Sequence, residues 1–206
     1  TVPYITSQNK ILIAGDSVAM GLGVSDSQTF SSQLQSALNK QAQVINGGVN
    51  SYKTKDILHD LSLIKNDEYS HLIYILCEND IKSFSDTNGI IEVANKINQI
   101  RYKFKTLTLI HHSHMNIILS DFFNPTHTED IERLMKKQRK KLVNVMKDLN
   151  INYLNWYEIA QAYTIKQGSI FARFSLYSDN THFSPTGNKL LSNEFMASFS
   201  EVILND

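Results

Sequence analysis

Five short apolar segments alternate with longer amphipathic segments along this chain of 206 residues. Each apolar segment has the length and composition of a strand that is covered on both faces of a sheet. The predicted strands are Lys10–Ala14, Ala42–Ile45, His71–Cys77, Thr106–Ile110 and Ile151–Leu154. Strands that alternate with helices form parallel sheets with helices on both faces. The pattern therefore predicts an α/β fold.

The segments between these strands carry apolar residues at the spacing of one helix face. The predicted helices are Thr29–Asn39, Thr54–Ile64, Ile90–Phe104, Glu129–Leu149 and a last helix that opens at Ser184-Pro185. Serine is favoured as an N-cap, and proline is favoured at the first helical position. No internal repeat and no linker rich in Pro, Gly or Ser interrupts the pattern. The sequence therefore predicts one domain over residues 1–206.

The composition excludes several function classes. Twenty basic and twenty acidic residues give a formal net charge of zero, so no overall charge favours a nucleic acid as partner. The longest apolar runs are far too short to span a bilayer, and we expect no integral membrane segment in this chain. Cys77 is the single cysteine, so no internal disulfide can form. The chain begins at Thr1, which is compatible with an upstream signal peptide or anchor and a secreted or periplasmic location.

Polar and reactive residues follow the carboxyl ends of the predicted strands. Gly15-Asp16-Ser17 follows the first strand, Asn46–Ser51 the second and Cys77–Asp80 the third. His111–His114 follows the fourth strand, and Asp179–His182 precedes the last helix. The carboxyl ends of parallel strands gather at one edge of a sheet, where open α/β sheets bind their ligands. The sequence therefore predicts a functional site at this edge.

Three of these residues have the chemistry of nucleophilic acyl transfer. That reaction needs a hydroxyl nucleophile, a histidine that takes its proton and a carboxylate that fixes the imidazole tautomer. Ser17 and His182 are the natural nucleophile and base, and Asp179 lies three residues before His182. A loop of this length can bring the Asp179 carboxylate to Nδ1 of His182 and leave Nε2 facing Ser17. The predicted catalytic residues are therefore Ser17, His182 and Asp179.

When such a nucleophile attacks a carbonyl carbon, the carbonyl oxygen becomes negatively charged and needs preorganised hydrogen-bond donors. Three candidates are available: the backbone N–H of Ser17, a backbone N–H in the loop from Gly48 to Ser51, and the side-chain amide of Asn79. Together these groups are the predicted oxyanion hole.

His111, His112 and His114 lie close together in the sequence, but no Cys, Asp or Glu joins them at the spacing of metal ligands. Neighbouring residues of a strand also face opposite sides of the sheet. We therefore expect no metal ion, and acyl transfer by the groups above needs no cofactor.

Four segments, Gly15-Asp16-Ser17, Gly48–Ser51, Asn79-Asp80 and Asp179-x-x-His182, resemble in order and spacing the sequence blocks of the SGNH (GDSL-type) hydrolase superfamily. The resemblance covers nearly the whole chain. It implies a flavodoxin-like three-layer α/β/α sandwich with a five-stranded parallel sheet. It also implies that Ser17 is the nucleophile, His182 the base, Asp179 its orienting acid and Asn79 the side-chain oxyanion donor, with no metal or cofactor.

Two positions depart from the pattern of this superfamily. Its Gly-x-Asn-Asp block reads Cys77-Glu78-Asn79-Asp80 here, and Cys77 and Glu78 are candidates for the pocket wall. Its block-two glycine aligns best with Ser51, and Gly48 is the alternative. This position donates a backbone N–H, which a serine can do if its backbone dihedral angles allow. Both departures concern the geometry of the pocket more than its chemistry.

These residues predict a serine esterase that hydrolyses a carboxylic ester. Few glycines and no long insertion suggest a shallow site, which favours short-chain or acetyl esters. The alternatives are an O-acyltransferase that passes the acyl group to a glycan hydroxyl, a lysophospholipase or thioesterase, and a non-catalytic binding module. Met115–Phe123 is either core or an apolar lip that contacts an acyl chain. The expected partner is a small-molecule, glycan or lipid ester, and not a nucleic acid.

Overall fold

The computed structural model describes residues 9–66, 68–76, 87–112 and 140–204. The strands are β1 (Lys10–Gly15), β2 (Gln43–Gly48), β3 (His71–Ile75), β4 (Thr106–His111) and β5 (Asn152–Asn155). The helices are α1 (Ser17–Met20), α2 (Phe30–Leu38), α3 (Thr54–Leu63), α4 (Thr87–Asn98), α5 (described over residues 140–148), α6 (Trp156–Gln167) and α7 (Pro185–Leu204). Short 3₁₀ helices cover Asp26–Gln28, Arg101–Lys103 and Ile170–Leu176. Within the described ranges, no helix combines the length and the apolar composition needed to cross a membrane.

The five strands form one parallel sheet in the order β2-β1-β3-β4-β5. Ile11 of β1 lies opposite Val44 of β2 on one side and His71 of β3 on the other. β2 follows β1 in the chain and lies on one side of it, and β3 follows β2 and lies on the other side of β1. This reversal is the topological switch point at which sheets of this order bind ligands, just beyond the carboxyl ends of the strands. Ser17 directly follows β1 at that point.

Each face of the sheet is covered by its own apolar core. Ile11 and Ile13 of β1 pack in one cluster with residues of α2, α6 and α7, and all of the cluster's core members are less than one tenth exposed. Leu12 and Ala14 face the other way and pack with residues of α3, α4 and α5. Helices thus cover both faces of a five-stranded parallel sheet, as the sequence pattern predicts, and the predicted fold class is confirmed.

The predicted strands are all present, with shifted ends. β2 runs to Gly48, beyond the predicted end at Ile45, because Asn46–Gly48 continues to pair with Ile13–Gly15 of β1. The predicted end of the third strand at Cys77 lies outside the described residues.

The helix predicted over Ile90–Phe104 is wrong at its carboxyl end, because α4 stops at Asn98 and a 3₁₀ helix follows. Arg101 Nη1 donates to the Leu149 carbonyl at 3.0 Å, and Lys103 Nζ donates to the Ser62 carbonyl at 2.7 Å. These carbonyls lie at the ends of α5 and α3, where backbone oxygens have no partner inside the helix and cations are favoured. The two basic side chains therefore cap other helices instead of extending their own.

The helix α6 has no counterpart in the predicted elements. Trp156, Tyr157 and Ala160 are buried, but Ile165 on the same helix is 74% exposed. The apolar residues of this helix are spread around its whole circumference instead of forming one stripe, so the sequence shows no helical period. Its caps do carry a signal: Asn155 accepts the Tyr157 N–H at 3.0 Å, and Gly168 ends the helix at φ +64°.

Candidate active site

Ser17 lies at the sharp turn between β1 and α1. Gly15 ends the strand where there is no room for a side chain, because a Cβ atom would lie 2.8 Å from the carbonyl oxygen of Ile75. Asp16 is buried, and its carboxylate caps α1 by accepting the N–H of Val18 at 3.0 Å. Ser17 is the first residue of the helix, where a backbone N–H has no partner inside the helix. The turn therefore places the hydroxyl and the N–H of Ser17 together at the carboxyl edge of the sheet.

Ser17, His182 and Asp179 form a continuous hydrogen-bonded chain. Nε2 of His182 lies 2.9 Å from Oγ of Ser17, and Nδ1 of His182 lies 2.8 Å from Oδ2 of Asp179. When Nδ1 donates to the carboxylate, Nε2 of the neutral ring accepts the hydrogen bond of the serine hydroxyl. This arrangement can move a proton from the serine to the imidazole.

The Asp179 carboxylate also organises the loop that carries His182. Its Oδ1 accepts the backbone N–H of Thr181 at 2.7 Å and that of His182 at 2.8 Å. Partial burial raises the pKa of Asp179, but the hydrogen bonds from the His182 backbone and ring and from Thr181 outweigh it and lower the pKa from 3.8 to about 2. Asp179 is therefore ionised at neutral and mildly acidic pH and can fix the ring tautomer of His182.

The loop that carries His182 is held on both sides. The N–H of Ser178 donates to the His182 carbonyl at 2.8 Å, and its hydroxyl donates to the Phe183 carbonyl at 3.0 Å. The Phe183 ring is 2% exposed, and its centroid lies 4.5 Å from the ring of Trp156 and 4.8 Å from that of His112. The residue after His182 thus anchors the loop in the core.

Ser51 lies in the loop that follows β2. This loop starts directly against β1, since the Val49 N–H donates to the Gly15 carbonyl at 3.1 Å. Ser51 has a φ of +65°, the left-handed conformation that glycine adopts most easily. No described residue accepts a hydrogen bond from its N–H. Ser51, which is predicted to align with a block-two glycine, thus has a backbone conformation typical of glycine.

Gly48 has a different place in the site. Its N–H donates to Oδ1 of Asn46 at 3.0 Å, so this N–H is already engaged, unlike that of Ser51. A Cβ atom on Gly48 would lie 2.2 Å from the backbone nitrogen of Met20 and 2.5 Å from the carbonyl carbon of Ala19. At Gly48, β2 and α1 therefore approach each other too closely for a side chain.

Several predicted site residues lie outside the described residues. These are Cys77, Glu78 and Asn79, together with the segment Met115–Phe123. The side-chain oxyanion donor, the pocket wall and the apolar lip assigned to them stay predictions.

The structure adds residues to this region that sequence reasoning missed. Asn46 belongs to the polar segment after the second predicted strand but has no assigned role there, and Ser178 and Phe183 carry no motif. The available signals were an amide at the end of a strand and an aromatic residue directly after His182. Neither signal indicates a role without the three-dimensional contacts.

The structure describes two histidines at the end of β4, His111 and His112, and both are buried. His111 is 2% exposed, and its Nδ1 lies 2.7 Å from the Tyr153 hydroxyl. Burial and the neighbouring His112 lower the pKa of His111 to about 3, so the ring is neutral. In the described part of the chain, no three His, Cys, Asp or Glu side chains are grouped so that they could hold a metal ion. His114 lies outside that part.

Neither a protein-family model nor a curated protein sequence matches this chain. Solved structures do match it. A member of the lipolytic protein G-D-S-L family from Veillonella parvula DSM 2008 superposes with a TM-score of 0.66 at 12% identity, over 93% of this chain and 98% of the other. The chain has the SGNH (GDSL-type) hydrolase fold. The flavodoxin-like sandwich that the sequence blocks imply is thereby confirmed.

Two further structures with this fold are esterases by name. The psychrotrophic esterase EstA from a Pseudoalteromonas species has a TM-score of 0.60 at 17% identity, over 96% of this chain and all of the other. A carbohydrate acetylesterase family member from Sinorhizobium meliloti has a TM-score of 0.59 at 14% identity, over 96% of this chain and all of the other. At these identities the likeness establishes the SGNH fold, and the function has to be argued from the site.

Proposed function

We propose that this protein is a serine esterase that hydrolyses a carboxylic ester through an acyl-enzyme on Ser17. The observation that carries the proposal is the chain of short hydrogen bonds from Ser17 Oγ through His182 to Asp179, at 2.9 and 2.8 Å. A nucleophile, a base and an orienting acid within hydrogen-bond distance are the pattern of an activated serine. Their position at the switch point of the sheet, where ligands bind, supports the same function.

The first half of the reaction forms the acyl-enzyme. The Ser17 oxygen attacks the ester carbonyl carbon while Nε2 of His182 takes the hydroxyl proton. The imidazolium that forms is stabilised by the ionised Asp179. The carbonyl oxygen becomes an oxyanion, which the N–H groups of Ser17 and Ser51 and the side-chain amide of Asn79 receive. Collapse of the tetrahedral intermediate breaks the ester C–O bond, and His182 returns the proton to the leaving alcohol.

The second half releases the acid. Water takes the place of the alcohol, gives a proton to Nε2 of His182 and attacks the acyl carbon. A second tetrahedral intermediate uses the same oxyanion donors, and its collapse restores the Ser17 hydroxyl and frees the carboxylic acid. Each step moves a proton between groups already named, so the proposed mechanism requires neither metal nor cofactor.

An open site supports a short acyl group. The Asp179 side chain is 56% exposed and that of His182 is 15% exposed, so solvent reaches the Asp179 carboxylate and part of the His182 ring. The similarity in fold to a carbohydrate acetylesterase points in the same direction. We therefore favour acetyl and other short esters as substrates, with a sugar as one form of the alcohol.

The same openness favours one second candidate, an O-acyltransferase. A sugar hydroxyl can enter an exposed site in place of water and take the acyl group from Ser17. The two functions differ only in the acceptor of the second half-reaction.

Product analysis separates these functions. The protein is incubated with p-nitrophenyl acetate, butyrate and octanoate, with and without an oligosaccharide acceptor, and the products are identified by mass spectrometry. We expect free acid as the main product and the highest kcat/KM for acetate. Acylated oligosaccharide in excess over free acid would establish the transferase, and a preference for octanoate would contradict the short-acyl assignment.

A further inference from the structure

Asn46 joins three parts of the site through its side chain. Its Nδ2 donates to the Met20 carbonyl at 3.1 Å and to the Ser31 hydroxyl at 3.1 Å. Its Oδ1 accepts the N–H of Gly48 at 3.0 Å. Both amide protons and the amide oxygen are therefore used, so the orientation of the side chain is fixed.

Two of the groups that Asn46 contacts belong to the two backbone segments that carry the proposed oxyanion donors. Met20 is the last residue of α1, whose first residue is Ser17. Gly48 is the last residue of β2, and the loop to Ser51 begins there. Asn46 thus ties the segment that carries the Ser17 N–H to the segment that carries the Ser51 N–H.

These two segments also pack closely against each other. The backbone of Met20 lies so close to Gly48 that a Cβ atom there would be 2.2 Å from the Met20 nitrogen. The Ser31 hydroxyl, which accepts from Asn46, lies 2.9 Å from the Thr29 hydroxyl at the start of α2. Asn46 therefore holds a tightly packed junction of β2 and α1 against a third element, α2.

We propose that Asn46 is a positioning residue that sets the distance between the two backbone donors of the oxyanion hole. This role rests on the proposed function. Oxyanion donors stabilise the transition state only when they aim at the position of the developing charge, and a misplacement of about 1 Å can cost up to about a hundredfold in rate. Loss of the Asn46 bonds should therefore affect kcat much more than KM.

The position of Asn46 makes this role measurable. The side chain is exposed, so its replacement opens no cavity in either core, and water can satisfy the released backbone groups. A change in activity can then be separated from a change in folding.

The test uses two variants and a matched control. Asn46→Ala removes all three hydrogen bonds. Asn46→Asp keeps an acceptor for the Gly48 N–H but cannot donate to Met20 or Ser31. Asn193→Asp makes the same chemical change at an exposed asparagine in the middle of α7. Turnover of p-nitrophenyl acetate is measured per titrated active site, together with thermal unfolding and the inhibition constant of a boronic acid that forms a tetrahedral serine adduct.

We expect both Asn46 variants to lose on the order of tenfold in kcat with KM within about twofold of wild type. The inhibition constant of the boronic acid should rise by the same factor as kcat/KM falls, because the adduct carries the transition-state geometry. The unfolding temperature should stay close to that of wild type, and Asn193→Asp should be unchanged. The loss in Asn46→Asp should persist at about 1 M salt, which screens the added charge.

The contrary results are equally distinct. A kcat per active site within about twofold of wild type, or a loss in Asn46→Asp that salt restores while Asn46→Ala is normal, would overturn the positioning role. Loss of titratable sites in proportion to activity would show that Asn46 only stabilises the fold. If the wild type itself shows no turnover that depends on Ser17, the proposed function fails, and this role fails with it.

Discussion

At the scale of single residues, Ser51 combines a serine side chain with the backbone conformation of a glycine. Its φ of +65° lies in the left-handed region, which costs a residue with a Cβ atom about 1–2 kcal/mol. Strain of this kind persists where the surrounding structure requires it and is frequent at functional sites. The N–H of Ser51 has no acceptor among the described residues, which agrees with a role as oxyanion donor.

Replacement of Ser51 tests this interpretation. The free energy of unfolding of Ser51→Gly should equal that of wild type or exceed it by up to about 1 kcal/mol. Glycine relieves the strain, but it also makes the unfolded chain more flexible, which offsets part of the gain. Its kcat should stay close to that of wild type, because the N–H remains. Ser51→Val should lose about 1–2 kcal/mol, because a β-branched residue fits the left-handed region poorly. Urea denaturation measures the free energy of unfolding, and ester turnover measures kcat. A free energy of unfolding for Ser51→Gly that is lower than that of wild type would contradict the inferred strain.

The lowered pKa of Asp179 predicts that the free energy of unfolding depends on pH. Its pKa in the folded protein is about 2, below the value near 3.9 of an unfolded aspartate. A carboxyl group with a lowered pKa stabilises the fold above its unfolded pKa, and this contribution is lost as the pH falls through the folded pKa. The difference in unfolding free energy between wild type and Asp179→Asn should therefore be largest above about pH 4 and shrink between about pH 4 and 2. A difference that is constant across this range would refute the assignment.

At the scale of elements, the site depends on how closely β2 approaches α1. Gly47 and Gly48 are neighbours in the sequence, but only Gly48 lies against backbone atoms at distances that exclude a Cβ atom. At Gly47 the closest atoms to such a Cβ are 3.1 Å away, and one of them is a flexible leucine side chain. The two glycines therefore form a matched pair for testing the junction.

Gly48→Ala should destabilise the protein by about 2 kcal/mol or more, because the α1 backbone must move to admit the methyl group. The shift of α1 should also lower kcat, since Ser17 begins that helix. Gly47→Ala should cost clearly less in both measurements. Equal effects in urea denaturation and ester turnover would show that the junction is looser than the structure indicates.

The elements also show what the sequence can and cannot predict. The parallel sheet follows from five apolar runs and the helical stripes between them, because burial on both faces leaves a clear pattern. The helix α6 was missed because its apolar residues are spread around its whole circumference. The helix α4 was predicted too long because Arg101 and Lys103 cap the ends of other helices. Such long-range contacts have no local signature.

The candidate site also has a part that the sequence predicts and a part that it does not. Residue types and strand ends were enough to select Ser17, His182 and Asp179, which the structure places in hydrogen-bond contact. The sequence left the backbone conformation of Ser51 open and gave no role to Asn46, since a backbone angle and a side-chain contact between distant segments depend on the assembled fold.

At the scale of the whole molecule, the sheet order explains how distant residues meet. Ser17 and His182 are 165 positions apart, and the switch point beside β1 brings the β1 turn, the loop after β2 and the loop before α7 to one edge. The SGNH fold provides this geometry, and the local residues provide the proposed chemistry. The central claim is that Ser17 is activated by its neighbours.

A fluorophosphonate probe tests that claim most directly, because it labels only serines with enhanced nucleophilicity. Intact-mass measurement of the wild-type protein should show one label per chain, located on Ser17 by peptide mapping and prevented by a competing short ester. Ser17→Ala should stay unlabelled and lose turnover of p-nitrophenyl acetate while its circular dichroism spectrum is unchanged. An unlabelled wild-type protein, or a Ser17→Ala variant with undiminished turnover, would contradict the account.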